Sequence, residues 1–256
     1  VIGCGLRWDK RVMDPKSNYG LGKQFPRFGD IAAVCDVDSE RVQRAAEIVK
    51  DWSSTAPIAS SDYRRVIDDP SIDIVHIVTP DHWHAKIAIE AMLAGKDVYC
   101  EKPMTLTIDE GKLVRQGQMK TGAVFQVGTQ QRSGRQFIKA VAMIRDGRLG
   151  TLKRVVCGID SSPQSPSLPT VSAPKTLDWD QWQGPAPKTA YRATKGAQNI
   201  MKEWSNGHYE FRWWYDYSGG KLTDWGAHHI DIATWGMGKT ETGPTLIDPI
   251  MVEHPV

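Results

Sequence analysis

The sequence predicts an α/β fold: a doubly wound parallel sheet at the N-terminus, followed by a smaller α+β region. Three observations carry this. Short apolar runs alternate with helix-patterned segments through the first half, the signature of βαβ units. The first run ends in a glycine turn, Gly3-Cys4-Gly5. Beyond about residue 150 the alternation stops, and the chain becomes Pro/Ser-rich and then aromatic.

Val1-Ile2 reads as the end of a strand, and residues 31–35 (IAAVC) as a strand buried on both faces. Residues 40–50 form a helix with Val42, Ala45, Ala46 and Val49 on one face. Residues 72–78 (IDIVHIV) are a β-branched strand broken by Thr79-Pro80-Asp81, and a helix over 82–94 stops at Gly95. Residues 97–100 (DVYC) are a strand ended by Glu101-Lys102-Pro103. A helix over 107–120 and a strand at 123–127 (AVFQV) follow. These units place a first domain at 1–133 and a second at 134–256. In the second, 151–159 (TLKRVVCGI) reads as a longer strand and 160–190 as an irregular connection. An aromatic block (Phe211, Trp213, Trp214, Tyr215, Tyr217), a Gly219-Gly220 turn and a helix over 224–236 come next. The last residues, TLIDPIMVEHPV, read as a strand cut short, so the second domain is expected to be incomplete at its C-terminus. The abrupt start inside an apolar run likewise suggests missing residues upstream.

A chain of 256 residues buries a core without disulfides or structural metals. Its net charge of +2 lacks the basic excess of nucleic-acid or anionic-membrane surfaces. The four cysteines form no CxxC pair and read as buried free thiols. No apolar run approaches a membrane span, and no secretory signal is visible. Most of the ten Trp lie after residue 178, which suits carbohydrate-stacking surfaces, a core or an oligomer contact.

Five pieces carry chemistry. The backbone of Gly3, Gly5 and Leu6 suits a strand-to-helix turn approaching a pyrophosphate, although Trp8 stands where GxGxxG has its third glycine. A plain turn remains open. Asp36 ends the second strand, where an acid hydrogen-bonds the adenosine ribose. Asp36 and Asp38 would repel a 2′-phosphate and no Arg follows at once, so NAD is favoured over NADP; Asp38-Ser39 also reads as a helix N-cap. Thr79-Pro80-Asp81-His82-Trp83-His84 and Glu101-Lys102-Pro103 both sit at strand carboxyl ends, where open α/β sheets bind ligands. A lysine there can polarise a substrate oxygen, with Pro103 fixing the turn, in a cis or a trans bond. Finally, Asp224 and His228 are four apart on one helix face, with Asp231 seven on: a carboxylate orienting an imidazole that accepts a proton. A structural Asp–His bond or a metal pair are the rivals; no second ligand cluster stands out, so no metal is expected.

In this order the pieces resemble the glucose–fructose oxidoreductase / inositol dehydrogenase (Gfo/Idh/MocA) family, with AMLAGKDVYCEKPM as its hallmark stretch and DWGAHHID as its DxxxH element. The resemblance implies a Rossmann domain plus an open-faced sheet domain, with the site between them. It implies that Lys102, Asp224 and His228 are catalytic and that Thr79, Pro80, His82 and Glu101 line the cofactor. The segment Gln130-Gln131-Arg132 would reach the nicotinamide and substrate, with Arg132, His229 and Lys102 contacting the substrate. The activity implied is NAD-dependent hydride transfer at a hydroxyl carbon of a sugar, cyclitol or sugar derivative, in a homo-oligomer (dimer or tetramer) without nucleic-acid or membrane partners. Two alternatives are a glycosidase or lyase-like enzyme using transient oxidation by NAD, and a non-catalytic dinucleotide or sugar sensor. The HWH and WGAHH variants resemble a subgroup often exported by the twin-arginine route; otherwise the protein would be cytoplasmic.

Overall fold

In the computed structural model, residues 1–9, 16, 20, 27–53, 55–195 and 203–251 are described. The short segment Val1–Gly3 holds the centre of the sheet. Ile2 bridges Cys35 on one side and Ile77 on the other, both in parallel. Its flanking strands are β1 (Ala33–Cys35) and β3 (Ile74–Ile77). β1 continues to β2 (Ile58–Ser60), and β3 to β4 (Asp97–Glu101) and β5 (Phe125–Gly128), all parallel. Strand order therefore reverses at Val1–Gly3, the switch point beside which such sheets bind ligands.

The helices follow from local chemistry. α1 (Ser39–Trp52) starts at Asp38, whose carboxylate accepts from the Glu40 and Arg41 amides. After α2 (Arg64–Ile67), α3 (Asp81–Leu93) packs on α4 (Ile108–Thr121). α4 opens with a Thr107/Glu110 capping box and closes on left-handed Gly122. Ile77, Ile87, Met92, Val98 and Val114 form the core on this side of the sheet, while Cys4, Val34, Ala45 and Val49 gather around fully buried Trp8 on the α1 side. Trp8 meets Trp52 at 6.1 Å between ring centres. The absent third glycine is thus replaced by a residue that fills the space beside α1.

The second region holds α5 (Arg135–Arg145), α6 (Trp179–Gln183), an antiparallel pair of β6 (Ala193–Lys195) and β7 (Glu203–Ser205), α7 (Gly220–Asp224) and α8 (Gly226–Gly236). Leu177, Trp182, Tyr191, Phe211 and Tyr217 form its core, with Trp179 stacked on Trp182. Of the readings open for the tryptophans of this half, Trp182 takes the core one, with Trp179 and Trp214 packed against it. The expected strand at 151–159 is not formed: no strand among the described residues pairs with it, Val155 and Val156 are exposed, and Cys157 is exposed with them, unlike buried Cys4, Cys35 and Cys100. The expected terminal strand is likewise absent over 245–251, and 252–256 lie outside the described residues. The helix expected over 224–236 is interrupted at Trp225, where the His228 amide donates to the carbonyl three residues back. No helix among the described residues is long and apolar enough to cross a membrane.

The two regions touch at several points. The Ser39 amide donates to Thr176, and the Asp178 amide to Val37. Ser218 donates to Asp81 at 2.5 Å.

Candidate active site

A cavity of about 920 Å³ opens at the carboxyl ends of the strands, between the two regions. Gly3, Gly5 and Leu6 form one wall. Gly3 has φ +90°, and a Cβ there would lie 2.6 Å from the Val78 carbonyl carbon, so only glycine fits. Asp36 stands next to this turn. Its carboxylate accepts from the Cys4 amide at 2.7 Å and the Asp38 amide at 2.9 Å. Burial pushes its pKa up, while the Arg41 guanidinium pulls it down. Arg41, one turn into α1, lines the same wall and reaches His208 Nδ1 at 2.9 Å. No arginine follows Asp36 directly in sequence, but a helical turn brings this one back beside it. Burial and that guanidinium pull the His208 pKa down to about 3, so its ring is neutral near pH 7.

Thr79 and Pro80 after β3, and Glu101 and Lys102 at the end of β4, form the cavity floor with Gln130. The Lys102–Pro103 bond is cis. Arg7 donates to Glu101 Oε2 at 3.2 Å and to Gln130 Oε1 at 2.7 Å, tying the glycine turn to both. Glu101 Oε1 and Thr79 Oγ1 are buried without a hydrogen-bond partner, as is His228 Nδ1. Orphaned polar atoms on a cavity wall mark where a ligand's polar groups would bind.

Asp224 and His228 come from the α7–α8 junction. Their pairing differs from expectation. Asp224 accepts from Lys102 Nζ at 2.5 Å through its carboxylate and at 3.1 Å through its carbonyl, with Arg212 Nε 3.7 Å away. A cation outcompetes a neutral imidazole for a half-buried carboxylate, so Asp224 orients Lys102 rather than His228. Burial pushes the Asp224 pKa up, but Lys102 and Arg212 outweigh it and hold the carboxyl below its usual range. Burial, then Lys102 and Arg7, pull His228 down to about 4 and keep its ring uncharged near neutral pH.

Three other expected contacts lie elsewhere. Asp231 forms a bidentate pair with Arg132 at 2.7 and 2.8 Å, which ties the 3-10 turn Gln130–Ser133 to α8. Arg132 is thereby held off the cavity wall, over the Trp235 ring. His229 is turned to the opposite side of α8, against the Gly158 carbonyl at 2.8 Å. His82 is buried in the aromatic core, with Nε2 on the Trp182 carbonyl at 3.0 Å, and does not line the cavity. Conversely, Arg7, Arg41, His208, Tyr209 and Arg212 line it although the sequence pattern assigns them no role, and so does Asp81 from the expected Thr79–His84 stretch. Arg7, next to the glycine turn, has a usable signal in its position; His208 and Tyr209 arrive by tertiary contact alone. Among the described residues no three His, Cys, Asp or Glu side chains gather as a metal cluster.

A levoglucosan dehydrogenase from Pseudarthrobacter phenanthrenivorans is 38% identical over 94 residues, covering 37% of this chain and 24% of that protein. An alpha-N-acetylgalactosaminidase from Shewanella oneidensis is 32% identical over 127 residues, covering 48% of this chain and 28% of that one. A crystal structure of an oxidoreductase domain protein from Kribbella flavida covers 93% of this chain with a TM-score of 0.58 at 23% identity, a likeness of fold. The chain covers 52% of that structure, so it spans about half the length of such relatives. Residues 164–254 match the C-terminal alpha/beta domain of an oxidoreductase family. Residues 1–129 match that family's NAD-binding Rossmann fold, and the chain belongs to the Gfo/Idh/MocA oxidoreductase family.

Proposed function

We propose that this protein is an NAD-dependent oxidoreductase that transfers hydride between nicotinamide and a hydroxyl-bearing carbon of a sugar, cyclitol or sugar derivative. One observation carries the reading: a Lys102–Asp224 pair and an uncharged His228 converge on the cavity that holds the glycine turn and Asp36. The residues present suit NAD, because Gly3 leaves room for close approach, Asp36 is held by backbone amides, and Glu101 and Thr79 offer unpaired oxygens. Gly3, Gly5 and Leu6 would hold the pyrophosphate and Asp36 the ribose, with Thr79, Pro80, Glu101 and Gln130 toward the nicotinamide. When bound, the nicotinamide accepts or returns the hydride.

This chain's own residues handle the oxygen and its proton. Lys102, oriented by Asp224, donates a hydrogen bond to the substrate oxygen and stabilises developing negative charge there. The His228 ring, which lines the cavity, takes the hydroxyl proton. A ring with a pKa near 4 is a weak base, so transfer to it depends on Lys102 acidifying the same hydroxyl. In the reverse direction the protonated imidazole returns the proton to a carbonyl oxygen. We further propose a homo-oligomer, supported by the apolar side chains that Leu222 and Ile230 expose on α7–α8 and read out by light scattering.

A sugar and cyclitol screen monitored by NADH absorbance tests the activity, with Lys102→Ala and His228→Ala as controls; equal rates in all three proteins would refute it. A second reading, transient oxidation followed by elimination and re-reduction, is favoured by the relative named as an alpha-N-acetylgalactosaminidase. That chemistry releases an aglycone with no net NADH, so stoichiometry separates the two.

A further inference from the structure

His84 sits on the first turn of α3, 1% exposed, directly behind the two strand ends that form the cavity floor. Both of its ring nitrogens face backbone carbonyls. Nε2 lies 2.8 Å from the Thr79 oxygen, and Nδ1 lies 2.7 Å from the Pro103 oxygen. A carbonyl oxygen only accepts. A neutral imidazole has one N–H, so one of these contacts would press lone pair against lone pair at hydrogen-bonding distance. The imidazolium, with an N–H on each nitrogen, satisfies both.

The two carbonyls belong to different strand ends. Thr79 opens the loop after β3, and Pro103 follows Lys102 after β4. We propose that His84 is a resident imidazolium that staples these two loops together and thereby positions Lys102 against Asp224. The staple is a property of the fold; its value for catalysis rests on the function proposed above.

The groups around the ring agree. Burial opposes a charge on His84, but Cys100 on β4, then Asp81 on α3 and the Pro103 carbonyl, raise its pKa to about 10. Asp81 is itself buried and accepts from Ser218, so a residue of the second region completes the cage. Arg212 and Lys102 act on Asp81 from the cavity side. His82, two residues away, is held neutral by burial, with a pKa of about 4, and does not compete for the role.

The test is nitrogen NMR on the full chain with 15N-labelled histidine, the His84 signals being assigned by their loss in His84→Gln. Two protonated nitrogens that do not titrate between about pH 6 and 8.5 are expected. One unprotonated nitrogen at pH 7.5 would overturn the imidazolium whatever the enzyme does. If His84→Gln fails to fold, the wild-type histidine spectrum still decides, because a spectrum in which no ring carries two protons at pH 7.5 removes the claim. Where it folds, kcat is expected to fall about tenfold or more with KM for the sugar changed less than about threefold. An unchanged kcat overturns the positioning of Lys102. A wild-type protein that neither binds nor reduces NAD refutes the proposed function instead, and leaves the NMR result to decide the staple by itself.

Discussion

The two halves of the molecule obey different rules. In the Rossmann half, the structure brings the strand-end candidates Gly3, Asp36, Thr79, Glu101 and Lys102 to one cavity, and only His82 in α3 and Arg132 in the 3-10 turn, both away from strand ends, miss it. In the second region, candidates that are neighbours in sequence part company: Asp224 and His228 face the cavity, whereas His229 and Asp231 turn away to Gly158 and Arg132. A parallel sheet aligns the ends of its strands by construction. A helix surface offers several faces, and packing partners decide which one meets the ligand.

Removing one residue from each side of the cavity should have the largest effects. Lys102→Ala should lower kcat/KM by about 10³-fold or more, and Asp224→Asn by about 10–100-fold, with circular dichroism unchanged. If Asp224→Asn instead matches His228→Ala and leaves Lys102 chemistry intact, the carboxylate serves the imidazole after all. Next in size is Gly3→Ala. Its φ of +90° and the 2.6 Å contact with the Val78 carbonyl carbon predict a loss of about 1–3 kcal/mol in urea unfolding, together with weakened NADH binding.

Acid should act on both halves. His82, His208 and His228 have folded pKa values of about 4, 3 and 4, below the ordinary 6.5. The unfolded chain therefore takes up their protons first, and stability falls as pH drops from 6.5 toward 4. His84 has the opposite sign: its contribution is complete below pH 6.5 and is lost as pH rises through about 10. Urea midpoints measured across pH, with and without His208→Asn, check the acid arm; the variant should show a shallower acid slope. Catalytic rate should also fall as His228 becomes protonated near pH 4.

Arg132→Ala tests whether this guanidinium serves the Asp231 pair or a substrate. It should cost about 1 kcal/mol of stability through the lost Asp231 pair while leaving KM within about threefold. A large rise in KM with unchanged stability would return Arg132 to the substrate. The smallest effect is expected at His229→Ala, where kcat/KM should stay within about twofold, since its ring contacts Gly158 rather than the cavity.

The sequence alone was enough for β1, β3, β4 and β5 and the residues at their ends, but not for β2 (Ile58–Ser60), a short strand with two exposed residues whose place beside β1 comes from pairing. Glycine turns, caps and β-branched runs are local signals, and a parallel sheet converts strand-end position into ligand-side position. Trp8 is visible as a break in the glycine fingerprint, but its burial beside Trp52 is not. The segment 151–159 has the composition of a strand, yet a strand exists only with a partner to hydrogen-bond, and composition does not supply one. Only the tertiary structure decided partnership: that Lys102 takes Asp224, that Arg132 takes Asp231, that Arg41 meets His208, and that His84 spans two loops. Charge pairing and hydrogen bonding depend on distances across 90 residues or more of chain in the first three cases, and no local pattern encodes them.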